Sequence, residues 1–91
     1  MAEIKALGMI ETNGFTPLIE SADAAVKTAN VDFVEWRKVG SGYVSFVIKG
    51  EVAAVRSAID AAREAGSRAG EVISELVIPR PVDELATTFK K

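Results

Sequence analysis

The chain contains 91 residues with a net charge of −2, and it has neither cysteine nor histidine. This length gives a single domain, 1–91, and the missing residue types exclude disulfides and disfavour a zinc or iron site, which would have to use carboxylates alone. The acidic balance argues against nucleic acid as a partner, because phosphate neutralisation requires a basic surface.

Apolar residues make up 48% of the chain, yet no apolar run approaches the ~20 residues of a membrane span. A domain of this size buries only about 60–65% of its unfolded surface. Since disulfides cannot add stability, we expect oligomerisation to do so. The N-terminus lacks the basic region, long apolar stretch and cleavage site of a signal peptide, which predicts a cytoplasmic protein without a membrane partner.

The first elements are a strand and a helix. Residues 4–11 form a short, largely apolar strand, and the turn composition at 12–14 ends it. Thr16 and Pro17 predict the start of a helix, because the hydroxyl can cap free amides and proline has no N–H to leave unpaired there.

This first helix has one apolar face and one charged face. On the charged face, Asp23 and Lys27 form a favourable i,i+4 pair. The residues at helical spacing on the apolar face are Leu18, Ala22, Ala25, Val26 and Ala29.

Two strands follow, at 31–39 and 43–49, and the short Gly40-Ser41-Gly42 connection makes them a hairpin. The second strand alternates, which places its residues on two faces. One face carries Val44, Phe46 and Ile48, and the other carries Tyr43, Ser45, Val47 and Lys49.

A second helix begins at about Glu51, and Gly70 is its expected stop. A fourth strand covers 71–78 and ends at Pro79-Arg80-Pro81, after which residues 82–91 form a short, weakly helical tail. The inner stripe of the helix comprises Val52, Val55, Ile59 and Ala62, widened by Ala58 and Ala65.

The element order is therefore βαββαβ with a tail. Right-handed crossovers place both helices on one face of a four-stranded antiparallel sheet, which is the ferredoxin-like α+β fold (an α/β sandwich). The alanine-rich helices can lie close to the sheet. The other face of the sheet is expected to be open to solvent or to a partner.

Catalytic chemistry is missing from the pattern. There is no nucleophile beside a base, and the carboxylates are scattered singly on predicted helix surfaces. The amides of the Gly40-Ser41-Gly42 loop could form an anion-binding concavity, although a tight hairpin turn is the simpler interpretation. We expect no catalytic residue, no metal and no cofactor, and therefore no enzyme.

Ferredoxin-like domains also bind RNA, metals or small molecules. RNA recognition requires a basic face with aromatic residues on the middle strands, and Trp36 and Tyr43 beside the hairpin turn give it little support in an acidic chain. A metal carrier would need the absent Cys-x-x-Cys. The alternative that stays open is a small regulatory domain that binds a small molecule between subunits.

Four segments resemble the single-domain shell proteins of bacterial microcompartments, the BMC domain family. They are ALGMIET at 6–12, ADA at 22–24 with KTAN at 27–30, KVGSG at 38–42, and VIPRP at 77–81. The resemblance is collinear and covers about residues 4–84. None of these motifs is specific alone, and the similarity lies in their order and separations.

The resemblance implies a cyclic homohexamer, shaped as a flat tile, that packs against neighbouring shell hexamers in a sheet. It implies that Gly40, Ser41 and Gly42, with Lys38 before them, line a narrow pore on the six-fold axis that passes small metabolites. It further implies a place in the microcompartment shell, with other shell proteins and encapsulated enzymes as partners.

The resemblance also assigns Lys27, Asn30 and Arg80 to the edge between hexamers. On the residues alone, Lys27 is simply the solvated partner of Asp23, and Arg80 is a surface charge between two prolines. Six serine hydroxyls would make the constriction polar and uncharged, which favours small hydrogen-bonding metabolites, and the positive charges of Arg37 and Lys38 just before it would attract small anions.

The sequence departs from the family pattern at two places. Trp36-Arg37-Lys38 stands where a tyrosine, an acidic residue and a lysine are common, which makes one pore mouth more positive. Val82 stands where histidine is frequent. These departures affect the expected metabolite rather than the expected fold.

Overall fold

A computed structural model of the chain describes residues 5–79. It confirms the βαββαβ order. The predicted tail at 82–91 and Arg80 lie outside the described residues. The elements are β1 (Ala6–Asn13), α1 (Phe15–Thr28), β2 (Asp32–Gly40), β3 (Tyr43–Gly50), α2 (Val52–Ala69) and β4 (Val72–Ile78).

The four strands form one antiparallel sheet in the order β2-β3-β1-β4. This order places the first and third strands in the centre and leaves β2 and β4 as the two edges. Both helices pack on one face, with α1 over β1 and β3 and α2 over β1 and β4. The ferredoxin-like α+β arrangement predicted from the sequence is confirmed.

The main core lies between the helices and the sheet. The alternation predicted for β3 is confirmed, since its even-numbered residues are buried beneath the helices. The largest fully buried apolar side chains there are Ile10, Phe46, Ile48, Val55 and Ile59.

Gly8 explains how closely α2 approaches the sheet. A Cβ atom at this position would lie 2.8 Å from side-chain atoms of both Val55 and Ile59. Such a separation is closer than packed carbon atoms tolerate. The glycine in β1 therefore lets α2 settle directly on the central strand.

The opposite face of the sheet is less open than expected. Leu7, Val34 and Val47 are buried there in a second, smaller cluster, with Met9 and Ile78 packed partly against it. In β2 the pairing register shifts between the residues on either side of Val34. A shift of this kind leaves one residue, here Val34, without a partner in the ladder. The side chain of Val34 packs with Leu7 and Val47 on this face of the sheet.

Three details of the predicted helices are wrong. Thr16 does not cap α1, because β1 continues to Asn13, Gly14 occupies the N-cap with φ 93° and ψ 170°, and the helix begins at Phe15. Val26 and Val52 follow the apolar spacing, but both are exposed on this chain instead of lying in the core. The predicted stop of α2 at Gly70 is confirmed.

Candidate functional site

The sheet has two ends, and the predicted site residues divide between them. At one end, here called the hairpin end, β1 and β2 finish at Asn13 and Gly40 while β3 and β4 begin at Tyr43 and Val72. At the far end, β2 begins just after Asn30, and Ala6 pairs with Gly50. An eight-residue strand spans roughly 25 Å, so the two groups are well separated.

The loop at the hairpin end is a two-residue turn. Gly40 pairs with Tyr43 across it, and the two central residues, Ser41 and Gly42, have φ values of 55° and 84°. Positive φ at both positions is what a type I′ hairpin turn requires. The loop is exposed. A tight hairpin turn is enough to explain its backbone conformation. Ser41 accepts a conformation that costs a residue with a Cβ atom roughly 1–2 kcal/mol.

Hydrogen bonds join this turn to the chain after β1, and join the end of β1 to the start of β4. The amide of Gly14 donates to the carbonyl of Gly42 at 2.9 Å, and the amide of Asn13 donates to the carbonyl of Glu71 at 3.0 Å. The side-chain amide of Asn13 adds a bond of 3.2 Å to Glu71 Oε1. Thr12, which is fully buried, donates through Oγ1 to the Gly14 carbonyl at 2.9 Å.

The charged residues before the turn point to opposite faces of the sheet. Lys38 pairs with Val44, which faces the helices, whereas Arg37 pairs with Ser45 on the other face. Both are exposed, and the guanidinium of Arg37 contacts the carboxylate of Glu35. The structure therefore places Lys38 beside the predicted pore residues, on the helix side.

At the far end, Lys27 forms an ion pair with Asp23, with 3.0 Å between Nζ and Oδ2. The lysine side chain is 74% exposed. This is the pairing expected from the residues alone, and an exposed ion pair of this kind can exchange its partner at little cost. Asn30 is exposed close by, and its carbonyl lies 3.4 Å from where a Cβ of Gly50 would be.

Pro79, the last described residue, follows the end of β4 at this same far end. The predicted edge residue Arg80 lies just outside the described part of the chain. Among the predicted edge residues, the structure therefore brings Lys27 and Asn30 to one end of the sheet and does not test Arg80.

Sequence reasoning missed an exposed apolar surface along β2, here called the aromatic flank. It comprises Phe15, Ile19, Phe33 and Trp36, whose exposed fractions lie between 45% and 62%. Phe15 and Trp36 meet edge to face with their ring centres 5.3 Å apart. The signal was available, because Phe15 and Ile19 are one helical turn apart and lie off the predicted inner stripe.

The opposite edge of the sheet is different. This β4 flank exposes Ile73 and Leu76 and carries a groove of about 320 Å³ between α2 and β4. Arg63 bridges two carboxylates there, with 3.1 Å to Glu75 and 3.6 Å to Asp60. The residues that line the groove are Arg56, Ile59, Asp60, Glu75, Leu76 and Val77.

Within residues 5–79, no group of three or more acidic side chains is arranged to hold a metal ion. No helix in this part of the chain is long and apolar enough to cross a membrane. The chemical features that remain are an exposed hydroxyl-bearing turn, an exposed ion pair, and two unlike flanks.

Comparison with known proteins identifies the family of this chain. The BMC domain family matches residues 6–81. The chain belongs to the BMC domain family. It is 52% identical to the bacterial microcompartment shell protein PduA of Salmonella typhimurium, over 96% of this chain and 93% of that protein. It is 45% identical to the shell protein EutM of Escherichia coli, over 94% of this chain and 89% of that protein.

Solved structures agree with this assignment. A crystal structure of a microcompartment protein from Desulfitobacterium hafniense superposes with a TM-score of 0.83 at 40% identity, covering 96% of this chain and 49% of that chain. PduA and EutM are shell proteins, which confirms the prediction of a structural shell subunit rather than an enzyme. They do not favour the alternative of a regulatory domain that binds a small molecule.

Proposed function

We propose that this BMC-domain shell protein forms a cyclic homohexamer that tiles with neighbouring shell hexamers into the wall of a bacterial microcompartment in the cytoplasm. A central pore lined by Gly40, Ser41 and Gly42 passes small polar or anionic metabolites. Its partners are copies of itself, other shell proteins and the encapsulated enzymes. The observation that carries the proposal is the contrast between the two flanks of one sheet.

The two flanks favour a ring. An apolar surface on the β2 side and a groove on the β4 side are unlike surfaces, and contacts between unlike surfaces of identical chains generate closed rings or open filaments. Phe15 and Trp36 are the kind of aromatic anchors that dominate interfaces.

The hairpin end supports the pore. In a ring formed by the two flanks with the hairpin end turned inward, the Ser41 turn is exposed and available to meet its copies. Its neighbouring glycines have no Cβ to block a close approach. Six serine hydroxyls would exchange hydrogen bonds with a passing solute, and six copies of Lys38 would attract anions.

The far end supports tiling. With the hairpin end at the centre, Lys27 and Asn30 come to the rim, together with the chain leading to Arg80. Lys27 is held only by an exposed ion pair among the contacts described for it. A rim contact of this kind is individually weak, and a sheet repeats it at every boundary.

The pore is tested by metabolite flux through closed shells in which this chain supplies every hexamer. We expect Ser41→Leu to lower the flux of small polar metabolites, because it narrows the ring and removes its hydroxyls. Ser57→Leu, at an exposed position on α2, is the matched control and leaves flux unchanged. Unchanged flux with Ser41→Leu in intact, leak-free shells would show that metabolites do not pass this loop.

A further inference from the structure

The turn between β1 and α1 contacts the tip of the β2–β3 hairpin. The hydrogen bond from the Gly14 amide to the Gly42 carbonyl joins two segments that are 28 residues apart in the chain. It ends on one of the two central residues of the turn. The position of Ser41 is therefore set partly from outside its own hairpin.

Gly14 has a backbone conformation suited to this role. Its φ of 93° and ψ of 170° fall in a region that only glycine occupies readily. A Cβ atom there would meet nothing within 4 Å among the described residues. Glycine is required here by the backbone conformation and not by crowding.

Asn13 extends the same connection to β4. It bonds Glu71 twice, through its main-chain amide at 3.0 Å and through its side-chain amide at 3.2 Å. Its Oδ1 atom also lies 3.6 Å from the position that a Cβ of Gly42 would take. The side chain of Asn13 thus lies between the hairpin tip and the start of the edge strand.

We propose that Asn13 and Gly14 are positioning residues for the pore turn: they hold the Gly42 carbonyl, and with it Ser41, at a fixed place relative to β4. This inference rests on the proposed pore. Its physical basis is that a two-residue turn at the tip of a hairpin has few contacts of its own, so each outside hydrogen bond reduces its motion. A ring made of six such turns discriminates between solutes only if each turn keeps its place.

The experiment measures hydrogen exchange and flux in the same variants. Gly14→Ala forces a Cβ into a conformation reserved for glycine, and Asn13→Ala removes the side-chain bond to Glu71. Thr16→Ala, at an exposed position in the same first turn of α1, is the matched control. Glu71→Gln keeps the acceptor oxygen, whereas Glu71→Ala removes it.

We expect exchange of the residue 14 amide and of peptides covering 38–46 to be about two- to tenfold faster in Gly14→Ala, and less accelerated in Asn13→Ala. Amide exchange in Glu71→Ala should be as fast as in Asn13→Ala. In Glu71→Gln and Thr16→Ala it should be as slow as in the unmodified chain. In shells, the ratio of acetate flux to hexanoate flux should fall about twofold or more in Gly14→Ala, because a mobile ring admits the longer solute.

Three results would overturn the inference. Unchanged exchange in Gly14→Ala would show that the turn is not held from outside. Faster exchange with an unchanged flux ratio, while Ser41→Leu still lowers flux, would show that the pore does not depend on this connection. If neither Ser41→Leu nor Gly14→Ala changes flux, the pore proposal itself fails, and the role of Asn13 and Gly14 in positioning a pore turn fails with it.

Discussion

The aromatic flank and the far end are both surfaces that we assign to contacts between copies of this chain, and they differ in almost every property. The flank exposes Phe15, Ile19, Phe33 and Trp36, and two of these rings contact each other within the chain. The far end exposes Lys27, whose partner Asp23 is itself exposed, and Asn30. One surface is apolar and preorganised, and the other is polar and adjustable.

This difference indicates two levels of assembly. Large apolar side chains gain roughly 25 cal/mol for each Å² removed from water, so we expect the contact between the aromatic flank and the β4 flank of the next chain to be strong. An exposed ion pair contributes at most about 1 kcal/mol. The ring should therefore form first and stay intact, while contacts between rings form and break at the rim.

The largest effect is expected from Phe15→Asp. Asp is favourable in the first turn of a helix, so α1 should persist, but a carboxylate in the flank contact would be buried without a partner. We expect the ring to dissociate at micromolar concentration, with the emission of Trp36, the single tryptophan, shifted to longer wavelength. Ser57→Asp adds the same charge on an exposed part of α2 and should leave the ring intact. If Phe15→Asp still forms an intact ring, the aromatic flank is not part of the interface between chains.

A smaller effect is expected from Lys27→Ala. The hexamer should stay intact, but a loss of ~1 kcal/mol at each rim contact lowers each equilibrium about fivefold, so sheets should become fewer and smaller. Electron microscopy at equal protein concentration measures this. Arg68→Ala, which removes an exposed cation near the end of α2, is the control. If the sheets match those of the unmodified chain, Lys27 does not contribute to the rim contact and is only an exposed charge on the surface of α1.

The smallest effect is expected from Asp23→Asn, which breaks the ion pair within α1. Its loss should change the free energy of unfolding by less than about 0.5 kcal/mol, because both side chains are solvated. Thermal denaturation measures the change. A loss of several kcal/mol would mean that the pair belongs to the structure of the chain and is not free to change partner at the rim.

How far the sequence could predict these surfaces depends on the residue. The alternation Val44, Phe46, Ile48 was sufficient to orient β3, since a half-buried strand has a strict period of two. The glycines at 40 and 42 located the turn. Gly14 was missed, because a hydroxyl and a proline at the next positions offered a more familiar start for a helix.

The exposure of Val26 was missed for a different reason. Val26 was assigned to the core because it follows the apolar spacing of α1, yet it is exposed in the chain. A side chain that packs against another subunit obeys the same periodicity as one that packs inside. Spacing alone cannot separate the two, and only the positions of neighbouring elements show which apolar side chains the chain leaves uncovered.

The central claim is that this chain works as a ring, and native mass spectrometry under mild conditions tests it most directly. We expect a dominant species containing six chains, with monomer only in variants of the aromatic flank such as Phe15→Asp. A dominant monomer or dimer of the unmodified chain, at concentrations where the fold is intact, would contradict it.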